Sequence, residues 1–130
     1  KNGQRIAEAL ADHPRVERLR YPTLFRDPEQ VRIRDAQCRF PGAIVSMELK
    51  GGKKAAFEFL RRLTIARNAV SLGGVESLAC HPATTTHSEL SAEELARAGV
   101  SDALVRVSVG VEDWRDLLRD FKDALDAIRI

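Results

Sequence analysis

The sequence predicts an α+β fold in which a mostly antiparallel sheet carries helices packed on one face. Three observations lead there. Strand-like and helix-like segments alternate along the 130 residues, yet several connections are too short for parallel crossovers, which need a dozen or more residues. Leu104-Val105-Arg106-Val107-Ser108-Val109 alternates strictly, setting Val105, Val107 and Val109 on one face and Leu104, Arg106 and Ser108 on the other. Trp114, Leu117, Leu118, Phe121, Leu125 and Ile128 recur at helical spacing and form the apolar stripe of a helix that must bury one side.

Taken in order, Ile6, Ala7, Leu10 and Ala11 mark a helix that stops before His13-Pro14, because proline disfavours helix in the residue preceding it. It opens without a convincing cap, which reads as a longer helix entered partway. Val16 to Tyr21 is a short strand closed by Pro22. Asp27-Pro28-Glu29-Gln30 supplies a cap, a proline at the first helical position and a Gln three residues on, starting a helix that reaches Gln37. After Phe40-Pro41-Gly42, a strand from Ala43 to Leu49 puts Val45, Met47 and Leu49 on its buried side. Gly51-Gly52 turns the chain into a helix from Lys53 to Leu63 with Ala56, Phe59, Leu60 and Leu63 along one stripe. Ile65 to Val70 reads as a strand, and Ser77 to Cys80 as a second extended piece. Ser91-Ala92-Glu93-Glu94 is a capping box for a brief helix that Gly99 ends, and Asp113 caps the last helix.

The length suits one domain with a substantial core. A formal net charge of +2 from 21 basic and 19 acidic residues is near balance, and the basic residues are scattered, which disfavours nucleic acid as a partner. No apolar run approaches the roughly 20 residues of a membrane span, and the opening residues are not signal-like. A soluble, cytoplasmic protein is expected. Cys38 and Cys80 lie far apart and outside any C-x-x-C, so reduced thiols are expected.

The chemistry concentrates around Ala69 to His87. Gly73-Gly74 frees the backbone beside Ser71 to bend closely around a small ligand. Arg106, held on a strand beside that loop, offers a planar fork that matches both oxygens of a carboxylate. A surface ion pair with a nearby acid would use the same arginine. His81 and His87 fit no zinc spacing and no H-E-x-x-H arrangement, so structural hydrogen bonding is expected of them, and no metal site. Glu76 is expected to secure the loop. The hydroxyl of Thr86, next to His87-Ser88, can line the same entrance or satisfy loop backbone.

Four ordered segments, S-L-G-G-V-E-S from Ser71, H-P-A-T-T-T-H from His81, A-G-V-S-D-A-L-V-R from Ala98 and S-V-G-V-E-D from Ser108, resemble C-terminal motifs of the cysteine/methionine-metabolism family of pyridoxal-phosphate enzymes. H-P-R-V from His13 and Y-P-T-L from Tyr21 extend the likeness over nearly the whole chain. Thr23 and Ala103 stand where that family commonly has Gly, and Thr85 where Met is usual. The family includes cystathionine γ-synthases, cystathionine β- and γ-lyases, methionine γ-lyases and O-acylhomoserine sulfhydrylases.

The resemblance implies the small C-terminal domain of a fold-type I enzyme. Residues 1–12 are then the end of a helix linked to a larger pyridoxal-phosphate-binding domain, and residues 13–130 the C-terminal substrate-binding domain. It implies Arg106 and Ser71 as ligands of the substrate α-carboxylate, with Thr86 at the entrance. Val70 occupies a position that is often acidic in cystathionine γ-synthases and γ-lyases and apolar in methionine γ-lyases, a lean towards a lyase of a thioether substrate. No lysine here sits in the S-x-T-K-like setting of the family, so the cofactor lysine, all catalytic groups and all cofactor-binding residues are expected in the other domain. A sulfur amino acid as substrate and a family-type homotetramer complete the expectation. Two other classes use the same features: a stand-alone regulatory module that binds an amino acid without chemistry, and an oligomerisation domain.

Overall fold

Alternation in the two longest central strands decides which way the sheet faces. The computed structural model describes residues 1–129. The chain runs α1 (Asn2–Leu10), β1 (Val16–Arg20), a 3-10 turn (Pro22–Leu24), α2 (Pro28–Gln37), β2 (Ile44–Leu49) and α3 (Gly52–Arg62). It continues with β3 (Arg67–Asn68), β4 (Leu78–Cys80), a second 3-10 turn (Pro82–Thr84), α4 (Ala92–Arg97), β5 (Leu104–Ser108) and α5 (Trp114–Asp126). The strands form one sheet in the order β1-β2-β5-β4-β3. β1 with β2, β2 with β5 and β5 with β4 pair antiparallel, and β3 joins β4 parallel.

Register makes one face apolar throughout. Met47 lies between Leu19 and Val105, and Val107 between Val45 and Ala79, and opposed residues share a face. Onto this face pack α1, α3 and α5, burying Ile6, Leu10, Phe59, Leu117, Phe121 and Leu125 with the strand valines. Phe59 and Phe121 meet at 6.2 Å between ring centres, a contact worth about 0.5–1.5 kcal/mol beyond its area. The opposite face carries Arg18, Arg20, Ser46, Glu48, Arg106 and Ser108. α4 borders a concavity on that side with Arg18, Arg20 and Glu48, so it stands apart from the three core helices. Among the described residues no helix is long and apolar enough to cross a membrane.

The expected caps form. Asp27 accepts from the Glu29 N–H and Asp113 from the Arg115 N–H, and Ser91 and Glu94 complete the capping box. The strand expected from Ile65 to Val70 is a correction: only Arg67–Asn68 is strand. Its first residues spend their donors elsewhere. Buried Asp120 on α5 accepts from the Thr64 N–H and hydroxyl at 2.8 and 2.9 Å and from the Ile65 and Ala66 N–H groups at 2.9 and 3.0 Å. Backbone committed to a carboxylate cannot also join a ladder.

Candidate functional site

Arg106 sits in the middle strand of the sheet, on the face away from the core helices. Ser46 of β2 and Cys80 of β4 are its direct cross-strand neighbours. Val105 and Val107 anchor the strand in the core, so the backbone beneath the guanidinium is rigid. The guanidinium Nη2 donates to the Val70 carbonyl at 2.8 Å. That bond ties Arg106 to the carbonyl of the residue before Ser71. Among the described residues Arg106 forms no ion pair, whereas Arg18 and Arg20 both face Glu48 at 3.7 Å. A half-buried cation fixed by a neutral carbonyl keeps its charge and most of its five donors for something else. Ser71 is exposed, as is the Val70 side chain at 53%.

The Gly-rich loop is tied down at three points. Gly73 N–H donates to the Ser108 hydroxyl at 2.9 Å, Val111 N–H to the Val75 carbonyl at 2.9 Å, and Ser77 N–H to Glu112 at 2.9 Å. Gly73 has φ +78°, the left-handed region that glycine tolerates. Here the expectation for Glu76 is corrected: Glu76 is exposed and makes none of these bonds, because the buried groups needing an acceptor belong to Ser77 and face the α5 side. Glu112 meets them. Burial pushes its carboxyl up, but the Ser77 N–H, its own backbone N–H and the Ser77 hydroxyl outweigh that and leave it below the ordinary carboxylate range.

Thr86 lies elsewhere. Its hydroxyl bonds His87 Nδ1 at 2.8 Å, and it lines a concavity formed by residues 85 to 90. Neither a hydrogen bond nor a shared cavity joins it to Arg106 among the described residues. His81 is buried with Nε2 2.7 Å from the Asp102 carbonyl and Nδ1 2.8 Å from the Thr84 hydroxyl. A carbonyl only accepts, so Nε2 donates to it, and Nδ1 pairs with the Thr84 hydroxyl. Both ring nitrogens are spent in structural bonds, as expected. No group of three metal-ligating side chains occurs among the described residues.

The sequence reading missed Ser77, Gly110 and Glu112 as individual parts of the site, although all three fall within its quoted motifs. A glycine followed two residues later by an acid, just ahead of a capped helix, was the available signal. The lysines Lys1, Lys50, Lys53, Lys54 and Lys122 are all exposed.

Comparison with known proteins identifies the family. Residues 1–126 match the family described as Cys/Met metabolism PLP-dependent enzyme. L-methionine gamma-lyase from Pseudomonas deceptionensis is 46% identical over 127 residues, covering 98% of this chain and 32% of that protein. A cystathionine gamma lyase from Micromonospora echinospora superposes with a TM-score of 0.89 at 41% identity, over 98% of this chain and 33% of that one. A candidate O-acetylhomoserine (thiol)-lyase from Campylobacter jejuni superposes with a TM-score of 0.90 at 34% identity, over 97% of this chain and 30% of that one, and carries a pyridoxyl-lysine phosphate. The chain spans about a third of the length of the curated relatives it matches. With the match running over nearly all its residues, the chain belongs to the Cys/Met metabolism family of pyridoxal-phosphate-dependent enzymes.

Proposed function

We propose that residues 13–130 are the C-terminal substrate-binding domain of a pyridoxal-phosphate-dependent lyase or transferase of sulfur amino acids, with residues 1–12 leading into a larger cofactor-binding domain. The observation that carries this is Arg106: half-buried on the middle strand, oriented by the Val70 carbonyl, and free of an acidic partner among the described residues. Its fork receives the α-carboxylate, and Ser71 adds its hydroxyl or backbone to the same group. Holding that end fixes how the substrate's Cα–H bond is presented, which is catalysis by positioning. Pyridoxal phosphate, when bound, supplies the electron sink for the bond cleavage. The amine that anchors it comes from outside these residues.

Val70 faces the substrate side chain in this reading. A valine suits a thioether better than an ammonium group, which favours elimination from methionine or a similar substrate over handling of an amine-bearing side chain. Thr86 borders the entrance once the rest of the enzyme closes over it. Exposed Phe40, Val75 and Val111, at 75, 72 and 76%, support a docking face for that remaining part and for a homotetramer. Free, exposed Cys38 is compatible with the reducing cytoplasm.

The test uses the full-length enzyme loaded with cofactor. Expected are release of a thiol from L-methionine or L-cystathionine in the lyase case, or consumption of sulfide with release of acetate from O-acetyl-L-homoserine in the transferase case, and inhibition by L-norleucine far stronger than by pentylamine, the same molecule without its carboxylate. Equal inhibition by the two would overturn the carboxylate reading.

A further inference from the structure

Ser77 is wholly buried at 0% exposure, and its polar atoms close a small circuit. Glu112 Oε2 accepts from the Ser77 N–H at 2.9 Å and Oε1 from the Ser77 hydroxyl at 2.8 Å. The same hydroxyl accepts from the Gly110 N–H at 2.8 Å. Gly110 and Glu112 are in turn held by Asn2 of α1, whose amide donates to their carbonyls at 3.1 and 2.8 Å. The fit is tight enough to require glycine: a Cβ on Gly110 would lie 2.3 Å from the Val75 carbonyl oxygen and 2.6 Å from Glu112 Oε1.

This circuit stands where the Gly-rich loop enters β4. Residues 70 to 76 are all exposed and bury no apolar anchor of their own. Their position therefore depends on polar ties: Arg106 at Val70, Ser108 at Gly73, Val111 at Val75, and the Glu112 circuit at Ser77. Of these, only the last joins a carboxylate by two bonds to a wholly buried residue, and charge-assisted, doubled bonds hold a network to one geometry.

We propose that Glu112 is a positioning residue for the substrate carboxylate site: through Ser77 and Gly110 it sets where the loop presents Val70 and Ser71 to Arg106. This rests on the reading of Arg106 and Ser71 as carboxylate ligands. Glu112 touches neither substrate nor cofactor, so its removal acts through the loop and is felt by ligands that carry a carboxylate.

The test measures inhibition constants of L-norleucine and pentylamine on the full-length holoenzyme. In Glu112→Ala the preference for norleucine falls about 10- to 100-fold, the scale on which a displaced positioning group acts. Glu112→Gln falls between wild type and Glu112→Ala, since its oxygen still accepts from the Ser77 N–H while its amide cannot accept the Ser77 hydroxyl proton. In an Arg106→Ala background Glu112→Ala adds less than about threefold, because coupled residues are not additive. A loss shared equally by both inhibitors, or a full extra factor on top of Arg106→Ala, overturns the proposal. If Glu112→Ala does not fold, Ser77→Ala gives the same reading: a selective loss supports the proposal and an equal loss overturns it. An Arg106→Ala enzyme that keeps its preference for norleucine refutes the carboxylate reading, and this proposal with it. Sensitivity to Arg106 without sensitivity to Glu112 refutes the positioning role alone.

Discussion

Arg106 and Val70 are joined by a 2.8 Å hydrogen bond from guanidinium to carbonyl, so the middle strand and the Gly-rich loop meet at the residue before Ser71. The bond aims the fork without neutralising it. If that fork holds the substrate, Arg106→Ala leaves a desolvated carboxylate unpaired, a loss of about 2–5 kcal/mol, or roughly 30- to 5000-fold in kcat/KM. An exposed ion pair is worth only about 0–1 kcal/mol. Arg106→Lys recovers part of the activity, because a point charge cannot reproduce the two-toothed contact. Cofactor absorbance stays near wild type in both variants. Activity within a few-fold of wild type in Arg106→Ala would show that the arginine serves the surface only.

The lysines give a second check. All five in this chain are exposed, so borohydride reduction of the full-length holoenzyme fixes the pyridoxyl group on a lysine outside these residues. Peptide mapping reads the position. A stoichiometric adduct on Lys1, Lys50, Lys53, Lys54 or Lys122 contradicts the assignment of the chain to the substrate side alone.

Gly110 is the sharpest steric constraint near the loop. A methyl group there meets backbone at Val75 O and at the Glu76 carbonyl carbon, 2.3 and 2.7 Å away, and backbone yields less readily than a side-chain end. Gly110→Ala is expected to cost about 1–3 kcal/mol, the range for overpacking, and to shift the loop carrying Ser71. Thermal and denaturant melts measure the first effect. The norleucine-to-pentylamine preference measures the second.

Much of this was legible in the sequence because period and punctuation are local. Val45, Met47, Val105 and Val107 announce the buried face by alternation, and Ser91, Asp27 and Asp113 announce helix starts by their oxygens. Those readings hold in the structure. The strand from Ile65 and the role of Glu76 did not follow, because both turn on acids distant in sequence. Asp120 reaches back to Thr64, Ile65 and Ala66, and Glu112 to Ser77. Helical spacing puts Asp120 on the buried face, with Leu117 three residues before it and Ala124 four after, but nothing local announces the backbone donors it accepts from. Neighbours of Asp120 in α5 are a leucine stripe and exposed charges alike.

Asp120 carries a stability prediction that follows from its four donors. Asp120→Asn keeps the shape but turns one acceptor oxygen into a donor, setting N–H against N–H at one pair of contacts. Each buried group left unsatisfied costs about 1–3 kcal/mol. The melt of Asp120→Asn should fall accordingly, and hydrogen exchange should quicken at Ile65 and Ala66 before it does in β2. Wild-type stability in Asp120→Asn would mean that water or a rearranged turn supplies the lost acceptor.

Glu112 links the same physics to pH. Burial alone would raise its carboxyl, but donors from the Ser77 N–H, its own backbone N–H and the Ser77 hydroxyl win and hold it below its ordinary value. Asn2, Ser77 and Gly110 surround it, and no cationic side chain pairs with it among the described residues. The sign then follows from linkage: a carboxylate whose folded pKa is depressed binds protons more readily in the unfolded chain. Its stabilising contribution is complete above the unfolded value of about 4.3 and is lost as pH falls through the lower folded value. Below that pH the protonated acid keeps at most one good acceptor for Ser77, so exchange at Ser77 and Gly110 should quicken there. Other carboxylates titrate in the same window, so the informative quantity is the difference between wild type and Glu112→Gln. Wild type should lose stability more steeply than Glu112→Gln as pH drops below about 4.3, with the two curves parallel above it. Parallel curves throughout the acid range would mean that Glu112 has the same proton affinity folded and unfolded.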